Sequence, residues 1–491
     1  MGIGNLYVLK LLLVAILWVS MGLLPAQPAA KNTFFAIPKP NDGYIVDSSQ
    51  FQQVHIGNVF ISGNRKTKEK IILRELTLKP GSTFSKIDLP LIIQKDKEKL
   101  INTRLFLEVD IQPVERFEDV VDLVVQVKER WYFFPSPIFE LADRSFNEWW
   151  VNQDRDFSRV NYGAKLFQYN FRGRRETLRF IGQFGFSKTL GLNYVVPFFD
   201  LKQRNGLVFD FAYRDQKNLA YRSTENKQTF LESEEILKKS YTTSLTWTHR
   251  YSFYNRHYFT LGYSHSSIND TIALLNPNFF LEGHTLQRYF TLSYLFTRDL
   301  RDYVAYPLNG HLISIKAEKN GLGIYDDLNR FSLRASYAQY FPLKNNFFLS
   351  SSLTGVASFP KRQAYNNIEA IGYRPDELRG YDLYVVEGQN YIINKITFKK
   401  LLFSKQHHIK SIPVPQFQTI PVAIYLKAFF DSGYVDNQYT DPENTAFTNR
   451  YLFGGGLGLD IVTYYDLVLR LEYSFNDTGD SGFFLNVRAD I

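Results

Sequence analysis

Apolar and polar side chains alternate with a period of two in segment after segment from about residue 131 to the C-terminus. In RYFTLSYLF (288–296), Phe290, Leu292 and Tyr294 fall on one face of an extended chain, and Thr291 falls on the other. Gly, Asn, Asp and Pro separate these segments, which predicts many antiparallel strands joined by turns. The same alternation occurs at 258–265 and 467–475.

Residues 51–130 follow a different pattern, which predicts a small β-α-α-β-β domain. The first strand ends at a turn signal, Gly63-Asn64, and Gly81 lies in a loop between two helices. Asp88 is placed to cap the second helix, where Pro90 is tolerated in the first turn. The predicted helices cover 67–76 and a stretch from about 88, and the later strands cover 105–114 and 119–130.

The N-terminus holds the one strongly hydrophobic run of the chain. Lys10 precedes an apolar stretch from Leu11 to Leu24, followed by small residues and proline. This predicts a secretory signal peptide over residues 1–30, cleaved between Ala26 and Ala30. An uncleaved membrane anchor is the alternative, and in either case the rest of the protein leaves the cytoplasm. Residues 31–50 are interpreted as an extended linker.

Composition favours a membrane barrel over an ordinary globular protein. The 491 residues include 43 Phe and 32 Tyr, yet the mean hydropathy is only −0.24. Alternating apolar and polar residues cancel in such an average, as they do in a transmembrane β-barrel. A soluble β-sandwich has a similar composition, and alternation alone does not separate the two. Some 360 residues at the usual spacing predict about 16 strands over 131–491.

Charge and candidate chemistry argue against several other classes. With no cysteine, the chain has no disulfide framework or thiolate metal site. The net charge of +8 comes without a long basic run, so no nucleic-acid partner is predicted. The chain lacks the common hydrolase, metalloprotease and P-loop motifs, so we expect no enzyme, metal or cofactor. His407-His408 is interpreted as solvent-exposed, and GGGLGLD (454–460) as close strand packing.

Three segments of the N-terminal domain resemble a POTRA domain. They are ISGNRKTKEKIILREL, which contains Gly63 and Asn64, LKPGSTF, which contains Gly81, and VDLVVQVKER. The resemblance implies a periplasmic domain that receives polypeptide clients by adding a strand to its sheet edge. A single copy is expected, because residues 31–50 are too short for a second one.

The barrel region resembles the BamA/TamA-like outer-membrane assembly superfamily, with its bacterial surface antigen barrel and its relatives, the two-partner secretion transporters. The loop motif is LRGYD, formed by Leu378, Arg379, Gly380 and Tyr381. A later strand motif, AFFDSGYVD, carries Asp431 and Gly433. A mid-barrel motif, YLFTRDLRDYVAYPLNGHLISI, contains Arg298, Asp299, Pro307 and Gly310.

The resemblance implies a contact inside the barrel. The Arg-Gly-aromatic loop folds back into the lumen in this family, so Arg379 is expected to meet Asp431. A guanidinium holds a carboxylate through two parallel hydrogen bonds, which suits such a contact. The alternative is that Arg379-Gly380 forms a plain hairpin tip and Asp431 has no partner.

The predicted fold is therefore a transmembrane antiparallel β-barrel of about 16 strands, preceded by one small β-α-α-β-β POTRA-like domain at residues 51–130. The expected location is the outer membrane of a Gram-negative bacterium, with the POTRA domain in the periplasm. The expected function is assembly of unfolded β-barrel clients at the barrel seam, with lipid and accessory lipoproteins as further candidate partners. A polypeptide secretion transporter and a passive pore are the alternatives. The C-terminal GFFLNVRADI keeps the outward alternation but ends in isoleucine instead of an aromatic residue.

Overall fold

The structure is a computed structural model. It describes residues 53–117, 119–141, 149–150, 154–200, 202–325, 327–373, 375–409, 411–412, 418–463 and 467–489. The predicted signal peptide and linker, and the C-terminal isoleucine, lie outside the described residues. The described residues divide into two compact units, one with residues 53–65 and 72–129 and the other with residues 66–71 and those from 130 onward.

The first unit is a four-stranded sheet with two helices. Its sheet order is β2-β1-β4-β3, in which β1 and β4 are parallel and the other pairs are antiparallel. This confirms the predicted β-α-α-β-β domain, with one very short extra strand between the helices. The elements are β1 (Gln53–Ser62), α1 (Glu69–Glu75), β2 (Thr83–Ser85), α2 (Leu89–Ile101), β3 (Phe106–Phe117) and β4 (Val120–Glu129).

Helix α2 begins where the sequence predicts, but its cap is different. Asp88 occupies the N-cap position, yet its side chain makes no capping hydrogen bond, so the prediction of a side-chain cap is wrong. The reason is its backbone, which is already helical (φ −82°, ψ −17°), whereas a capping side chain needs an extended residue to reach back. Leu89, Ile93 and Leu100 form the buried face of the helix.

The charged stretch in α2 contains a buried carboxylate, Asp96. It accepts hydrogen bonds from the backbone N–H groups of Thr77 and Leu78 at 2.8 and 3.1 Å. The Lys99 ammonium lies 2.9 Å from its other oxygen. Since a buried charge is tolerated only with such partners, Asp96 ties α2 to the segment that precedes β2.

The glycines predicted for this domain lie at turns. Gly63 directly follows β1 at φ +87°, and a side chain there would meet the Val127 carbonyl oxygen 1.9 Å away. Asn64 is the next residue in the same turn. Gly81, at φ +79°, donates its N–H to the carbonyl of Ile56 at 2.8 Å. Both glycine conformations are strained for any L-residue with a side chain.

The second unit is built on a 16-stranded antiparallel sheet, which confirms the predicted strand number. Its described strands follow one another in chain order from β5 to β22, except that β10 and β11 form a separate hairpin. The elements are β5 (Phe133–Leu141), β6 (Val160–Phe171), β7 (Glu176–Gly185), β8 (Ser187–Val196), β9 (Asn205–Gln216), β10 (Asn218–Thr224), β11 (Lys227–Glu232), β12 (Lys238–Arg250), β13 (Asn255–Ile268), α3 (Asp270–Leu275), β14 (Leu286–Asp299), β15 (Gly310–Asn320), β16 (Arg330–Pro342), β17 (Phe347–Phe359), β18 (Asn390–His408), β19 (Thr419–Asp436), β20 (Tyr451–Val462), β21 (Leu467–Asn476) and β22 (Ser481–Ala489).

The two faces of this sheet carry opposite polarity. Leu261, Leu292 and Phe475 are each more than half exposed, at 53%, 52% and 54%. The other face lines a cavity of about 590 Å³ with hydroxyl side chains, among them Thr260 and Ser293. A soluble sandwich would turn the apolar face inward, so the structure excludes that alternative. The polarity of the two faces matches strands that lie between lipid and water.

No helix of the described residues has both the length and the apolar character required to span a bilayer. In β22 the outward alternation holds for Phe483 and Leu485, which are both exposed. The side chains of Val487 and Ala489 lie outside the described residues.

Candidate functional site

The loop between β17 and β18, residues 360–389, packs onto strands β18 to β20 through an apolar cluster. Two motif residues, Leu378 and Tyr381, are almost fully buried in it. The loop is therefore held by a small core of its own. The cluster consists of Ala370, Ile371, Leu378, Tyr381, Val386, Tyr391, Ile393, Val435, Phe447 and Leu452.

Arg379 and Asp431 meet at the base of this loop. The guanidinium donates through Nε to Asp431 Oδ2 at 2.8 Å and through Nη2 to Oδ1 at 2.5 Å. The backbone N–H of Arg379 also points at Oδ2, at 3.2 Å. Side-chain exposure is 16% for Arg379 and 0% for Asp431. The plain hairpin-tip alternative is thus not what the structure shows, because the arginine forms a bidentate, nearly buried ion pair.

Three further groups complete the surroundings of the Arg379 guanidinium. The central carbon of the guanidinium lies 3.9 Å from the ring centroid of Phe429. An aromatic ring attracts a cation that lies over its face, so this contact stabilises the charge of Arg379. Nη2 also donates to the Thr397 hydroxyl at 3.0 Å, and Nη1 lies 3.7 Å from a carboxylate oxygen of Glu472. Strands β18, β19 and β21 each contribute one of these groups, so one arginine connects the loop to three strands.

Gly380 and Tyr381 fasten the next part of the loop. Gly380 has φ +95°, and a side chain there would approach the Phe475 carbonyl oxygen to 2.6 Å. Its own carbonyl accepts from Asn476 Nδ2 at 3.0 Å. The Tyr381 hydroxyl donates to Asp477. The loop backbone therefore reaches the end of β21 at a distance that only glycine permits.

Glycines on the strands make room for the loop from the opposite side. An added Cβ at Gly433 would lie 2.8 Å from the Cδ1 atom of Ile371. At Gly454 it would lie 1.9 Å from the carbonyl oxygen of Arg379. Gly454 belongs to GGGLGLD, so this stretch packs against the loop as well as against its neighbouring strands.

A Gly454→Ala variant is expected to displace the loop. The new methyl would overlap a backbone oxygen, and overpacking of this kind costs roughly 1–3 kcal/mol. We expect a Val385→Cys reporter, buried in the loop of a chain without cysteine, to react about tenfold faster with a maleimide. Gly182→Ala is the matched control, because its Cβ would meet nothing within 4 Å. Equal labelling in the two variants would contradict the close approach.

Sequence reasoning missed a second ion network beside Arg379. The Lys427 ammonium, only 3% exposed, lies 2.5 Å from Asp460 and 2.8 Å from Glu472. Arg470 lies 3.8 Å from Asp460. The signal was present, since period-two alternation places Lys427 on the same face as Asp431, and Asp460 on the same face as Gly454. Pairing among them depends on strand register, which alternation does not reveal.

The mid-barrel motif lies at the β14–β15 turn. Arg298 and Asp299 end β14, and Asp299 accepts from Arg301 Nε and Nη2 at 2.8 and 2.6 Å. Gly310 begins β15 at φ +97°, where a Cβ would lie 2.0 Å from the Leu300 carbonyl oxygen. Pro307 lines a cavity of about 220 Å³ together with Arg379.

Tyr306, next to Pro307, connects this turn to the ion network. Its hydroxyl donates to Asp460 Oδ2 at 2.9 Å. The Lys399 ammonium lies 4.2 Å from the centre of its ring. The mid-barrel motif is thus connected to Arg379 of the loop motif through Asp460, Lys427 and Glu472, which neither motif contains.

Three carboxyl groups of the loop have raised pKa values. Burial raises the pKa of Asp382 to about 7, and Glu472 adds to the shift, although the Gly380 N–H opposes it. Burial also raises the pKa of Glu369 and of Glu387. Each group is easier to bury when it is protonated.

Loop packing is therefore expected to tighten in mild acid. The folded protein binds more protons than the unfolded chain from about pH 4 to about pH 7, so stability falls as the pH rises through that window. We expect the Val385→Cys reporter to react more slowly at about pH 5 than at about pH 8 after correction for thiolate content. Asp382→Asn should reduce this difference. A variant with the full wild-type pH dependence would show that Asp382 is not responsible.

No three His, Asp or Glu side chains of the described residues are grouped as a metal site requires.

An apolar outer face, a hydroxyl-rich inner face and an ion-paired loop define an outer-membrane β-barrel protein. The Omp85 superfamily domain matches residues 170–483, more than half of the chain, and the chain belongs to that superfamily. The surface antigen variable number repeat, a POTRA domain, matches residues 54–130. The protein thus lies in the outer membrane with its POTRA domain in the periplasm, in a superfamily of assembly factors and transporters rather than enzymes.

Curated relatives match a short part of the chain. An outer membrane protein assembly factor BamA from Nitratidesulfovibrio vulgaris is 38% identical over 81 residues, which cover 16% of this chain and 10% of that protein. A putative outer membrane protein assembly factor from Treponema pallidum is 35% identical over 81 residues, with 16% and 9% covered. The matched segment thus spans about a tenth of the length of these relatives.

Two solved structures share the fold over most of the chain. BamA from Haemophilus ducreyi lacking POTRA domains 1–3 is 16% identical, with a TM-score of 0.50 over 88% of this chain and 83% of that chain. CdiB from Escherichia coli is 12% identical, with a TM-score of 0.54 over 89% and 75%. Identities this low establish the fold alone.

Proposed function

We propose that this protein assembles unfolded β-barrel clients into the outer membrane, and that clients are templated at the seam between β5 and β22. The observation that carries the proposal is the sheet order, which begins at β5 and ends at β22. No strand register joins the described residues of these two strands, whereas every other neighbouring pair has one. Unpaired strand edges bind further strands readily.

The loop supports a sideways route for the client. Residues 360–389 and the ion network around Arg379 and Lys427 occupy part of the inner face of the sheet. A polypeptide crossing along the lumen would have to displace a buried bidentate ion pair. Strand addition at the seam leaves that pair in place.

The POTRA sheet offers a site for a client before it reaches the seam. Among the described residues, β3 forms one edge of that sheet and pairs with β4 alone. An extended client segment is proposed to add to this edge through main-chain hydrogen bonds. No nucleotide is needed, because client folding and burial of its apolar face in lipid release free energy. Accessory lipoproteins remain candidate partners.

Secretion of a polypeptide through the lumen is the second candidate. The hydroxyl-lined cavity of about 590 Å³ favours it, since a polar wall suits an unfolded chain. This function requires release of the loop, so it would make the Arg379–Asp431 pair a gate. A passive pore is the third alternative.

Quantitative analysis of the outer-membrane proteome after depletion separates these functions. Assembly predicts that many β-barrel proteins fall together, and re-expression of the wild-type chain restores them. Loss of one secreted polypeptide, with normal barrel proteins, would instead establish secretion. High, steady conductance of the purified protein in planar bilayers with neither loss would establish a pore.

A further inference from the structure

Strands β18 and β19 extend past the strands beside them. The last residue pair that joins β17 to β18 is Phe347–Lys400, and the last that joins β19 to β20 is Ala423–Val462. β18 continues to His408, so residues 401–408 pair with β19 alone among the described residues. This part of the hairpin, residues 401–408 and 419–422, is called the projection. A strand of that length reaches about 25 Å beyond the end of β17.

The projection lies at the periplasmic end of the sheet. Neighbouring strands are antiparallel, so every second strand in the sheet order returns to the end at which β5 begins. β5 directly follows the periplasmic POTRA domain in the chain, and β18 is the twelfth strand of the sheet. A partner that binds the projection is therefore a molecule of the periplasm.

Register shows which main-chain groups of the projection are free. The N–H of Ile409 donates to the carbonyl of Gln418 at 2.7 Å, so Ile409 faces β19. The direction of these groups alternates along a strand, which turns the N–H and C=O of Ser404, Gln406 and His408 away from β19. No described residue pairs with this edge of β18. Three donors and three acceptors are thus arranged as an added strand requires.

The opposite edge of the projection is blocked. Pro421 faces away from β18, since the alternate residues Ile420 and Val422 are those that bond to it. Proline has no N–H to donate. Its carbonyl is already occupied, because it accepts from the Thr463 hydroxyl at 2.9 Å. A further strand therefore fits the β18 edge and not the β19 edge.

A β-bulge determines which side chains lie beside the free edge. The register shifts between Leu401 and Phe403, so Leu402 is an extra residue on β18. Leu402 and Phe403 are both exposed, and Lys405 follows on the same face as Phe403. A strand added here meets an apolar pair and then a lysine.

Charge decides what kind of strand fits. Between Glu387 and Asp431 the sequence has six lysines and neither Asp nor Glu. Lys400 and Lys405 are exposed and form no ion pair with the described residues. Cross-strand pairs of opposite charge stabilise a sheet and like charges destabilise it, so an acidic strand is favoured over a second copy of the projection. A lipid phosphate accepts hydrogen bonds but donates none, so it matches the charge of the edge and not its carbonyl groups.

We propose that the β18 edge of the projection is a docking site for an acidic, extended segment of a periplasmic partner protein. The segment adds as a strand alongside residues 404–408, with main-chain hydrogen bonds to Ser404, Gln406 and His408. A carboxylate of the segment pairs with Lys405. The site is separate from the seam between β5 and β22, and it does not require that the protein assembles client barrels.

Peptide binding to the purified full-length protein in detergent tests the charge of the occupant. The probe is a fluorescent ten-residue peptide of alternating Thr and Glu with one terminal Leu, and its counterpart carries Lys in place of Glu. We expect fluorescence anisotropy to show at least about tenfold tighter binding of the Glu peptide. Equal affinities, or tighter binding of the Lys peptide, would overturn the proposal.

A single charge reversal locates the binding site. Lys405→Glu is expected to weaken binding of the Glu peptide about fivefold and to strengthen binding of the Lys peptide, because attraction becomes repulsion at the edge. Lys202→Glu is the matched control, since Lys202 is an exposed lysine in the β8–β9 turn at the same end of the sheet. An equal loss in both variants would reduce the effect to net charge and refute the site.

A proline variant tests the main-chain hydrogen bonds. Gln406→Pro removes the N–H that points at the free edge and leaves the bonds to β19 in place, so we expect about fivefold weaker binding of the Glu peptide. Gln406→Ala, which keeps the N–H, should bind as wild type. Heat-dependent gel mobility establishes that each barrel is folded. Full binding by folded Gln406→Pro would contradict strand addition.

A fluorophore on Gln406→Cys distinguishes the other occupants, since the chain has no cysteine of its own. The Glu peptide should shield the label from a water-soluble quencher, equally in vesicles with and without phosphatidylglycerol. Shielding by phosphatidylglycerol without peptide would overturn the proposal in favour of lipid. Disulfide-linked dimers of unlabelled Gln406→Cys that form faster than those of Lys202→Cys would instead assign the edge to a second copy.

Discussion

An Arg379→Ala variant is expected to release the 360–389 loop from the inner face of the sheet. Removal of the guanidinium leaves Asp431, which has 0% exposure, without the donor of its two side-chain hydrogen bonds. The backbone N–H of residue 379 still donates to this carboxylate, but loss of the partner of a buried ion pair costs about 3–5 kcal/mol. The Val385→Cys reporter should then react more than about a hundredfold faster, and assembly of client barrels should fall with it. Heat-dependent gel mobility establishes that the barrel is still folded.

Two variants sharpen this result. Arg379→Lys keeps the charge but has no planar fork, so we expect it to recover only part of the loop protection. Arg288→Ala is the matched control, since Arg288 pairs with Asp327 at 3.2 Å while both side chains are about a third exposed. An exposed pair contributes at most about 1 kcal/mol, so this control should behave as wild type. An Arg379→Ala variant with an unchanged reporter would refute the anchoring role.

Charge exchange tests the pair directly. Arg379→Asp with Asp431→Arg restores opposite charges, but the new carboxylate would face Glu472, which is 3.7 Å from the present guanidinium. We therefore expect partial recovery from the exchange alone and more when Glu472→Gln is added. Failure of both combinations in a folded barrel would remove the main support for the pairing.

A Lys427→Met variant is expected to cause a loss of stability of similar size. It removes an ammonium that lies within 3 Å of both Asp460 and Glu472, and both carboxylates are almost fully buried. Arg470 and Arg379, at 3.8 and 3.7 Å, compensate in part. We expect the free energy of unfolding to fall by about 3–5 kcal/mol, measured by urea titration in lipid vesicles.

Neutralising the stranded carboxylates should rescue this variant. Lys427→Met combined with Asp460→Asn and Glu472→Gln leaves no unpaired charge, and a neutral replacement of a buried ion network is often tolerated. Lys128→Met in the POTRA domain is the control, because its pair with Glu108 is 41% and 63% exposed. A triple variant as unstable as Lys427→Met would show that packing of the lysine stem, rather than charge, carries the effect.

Much of the fold follows from local pattern. Alternation over 131–491 is sufficient to predict strands, and their number follows from length. In the POTRA domain the turn at Gly63-Asn64 and the start of α2 near Asp88 are where the sequence predicts. The side-chain cap at Asp88 was wrong because its backbone conformation is not encoded in residue type. Asp96 lies in a charged run of the sequence, and only its contacts with Thr77 and Leu78 explain its burial.

The sequence by itself determined the strand-and-turn plan, the polarity of the two sheet faces and the candidates Arg379 and Asp431, because period-two alternation and a short motif are local properties. Tertiary structure alone decided which charges meet. Lys427, Asp460 and Glu472 lie on three different strands, and one residue of register shift would turn any one of them to the lipid face. The open seam also needed the structure, since only the sheet order shows that no register joins the described residues of β5 and β22.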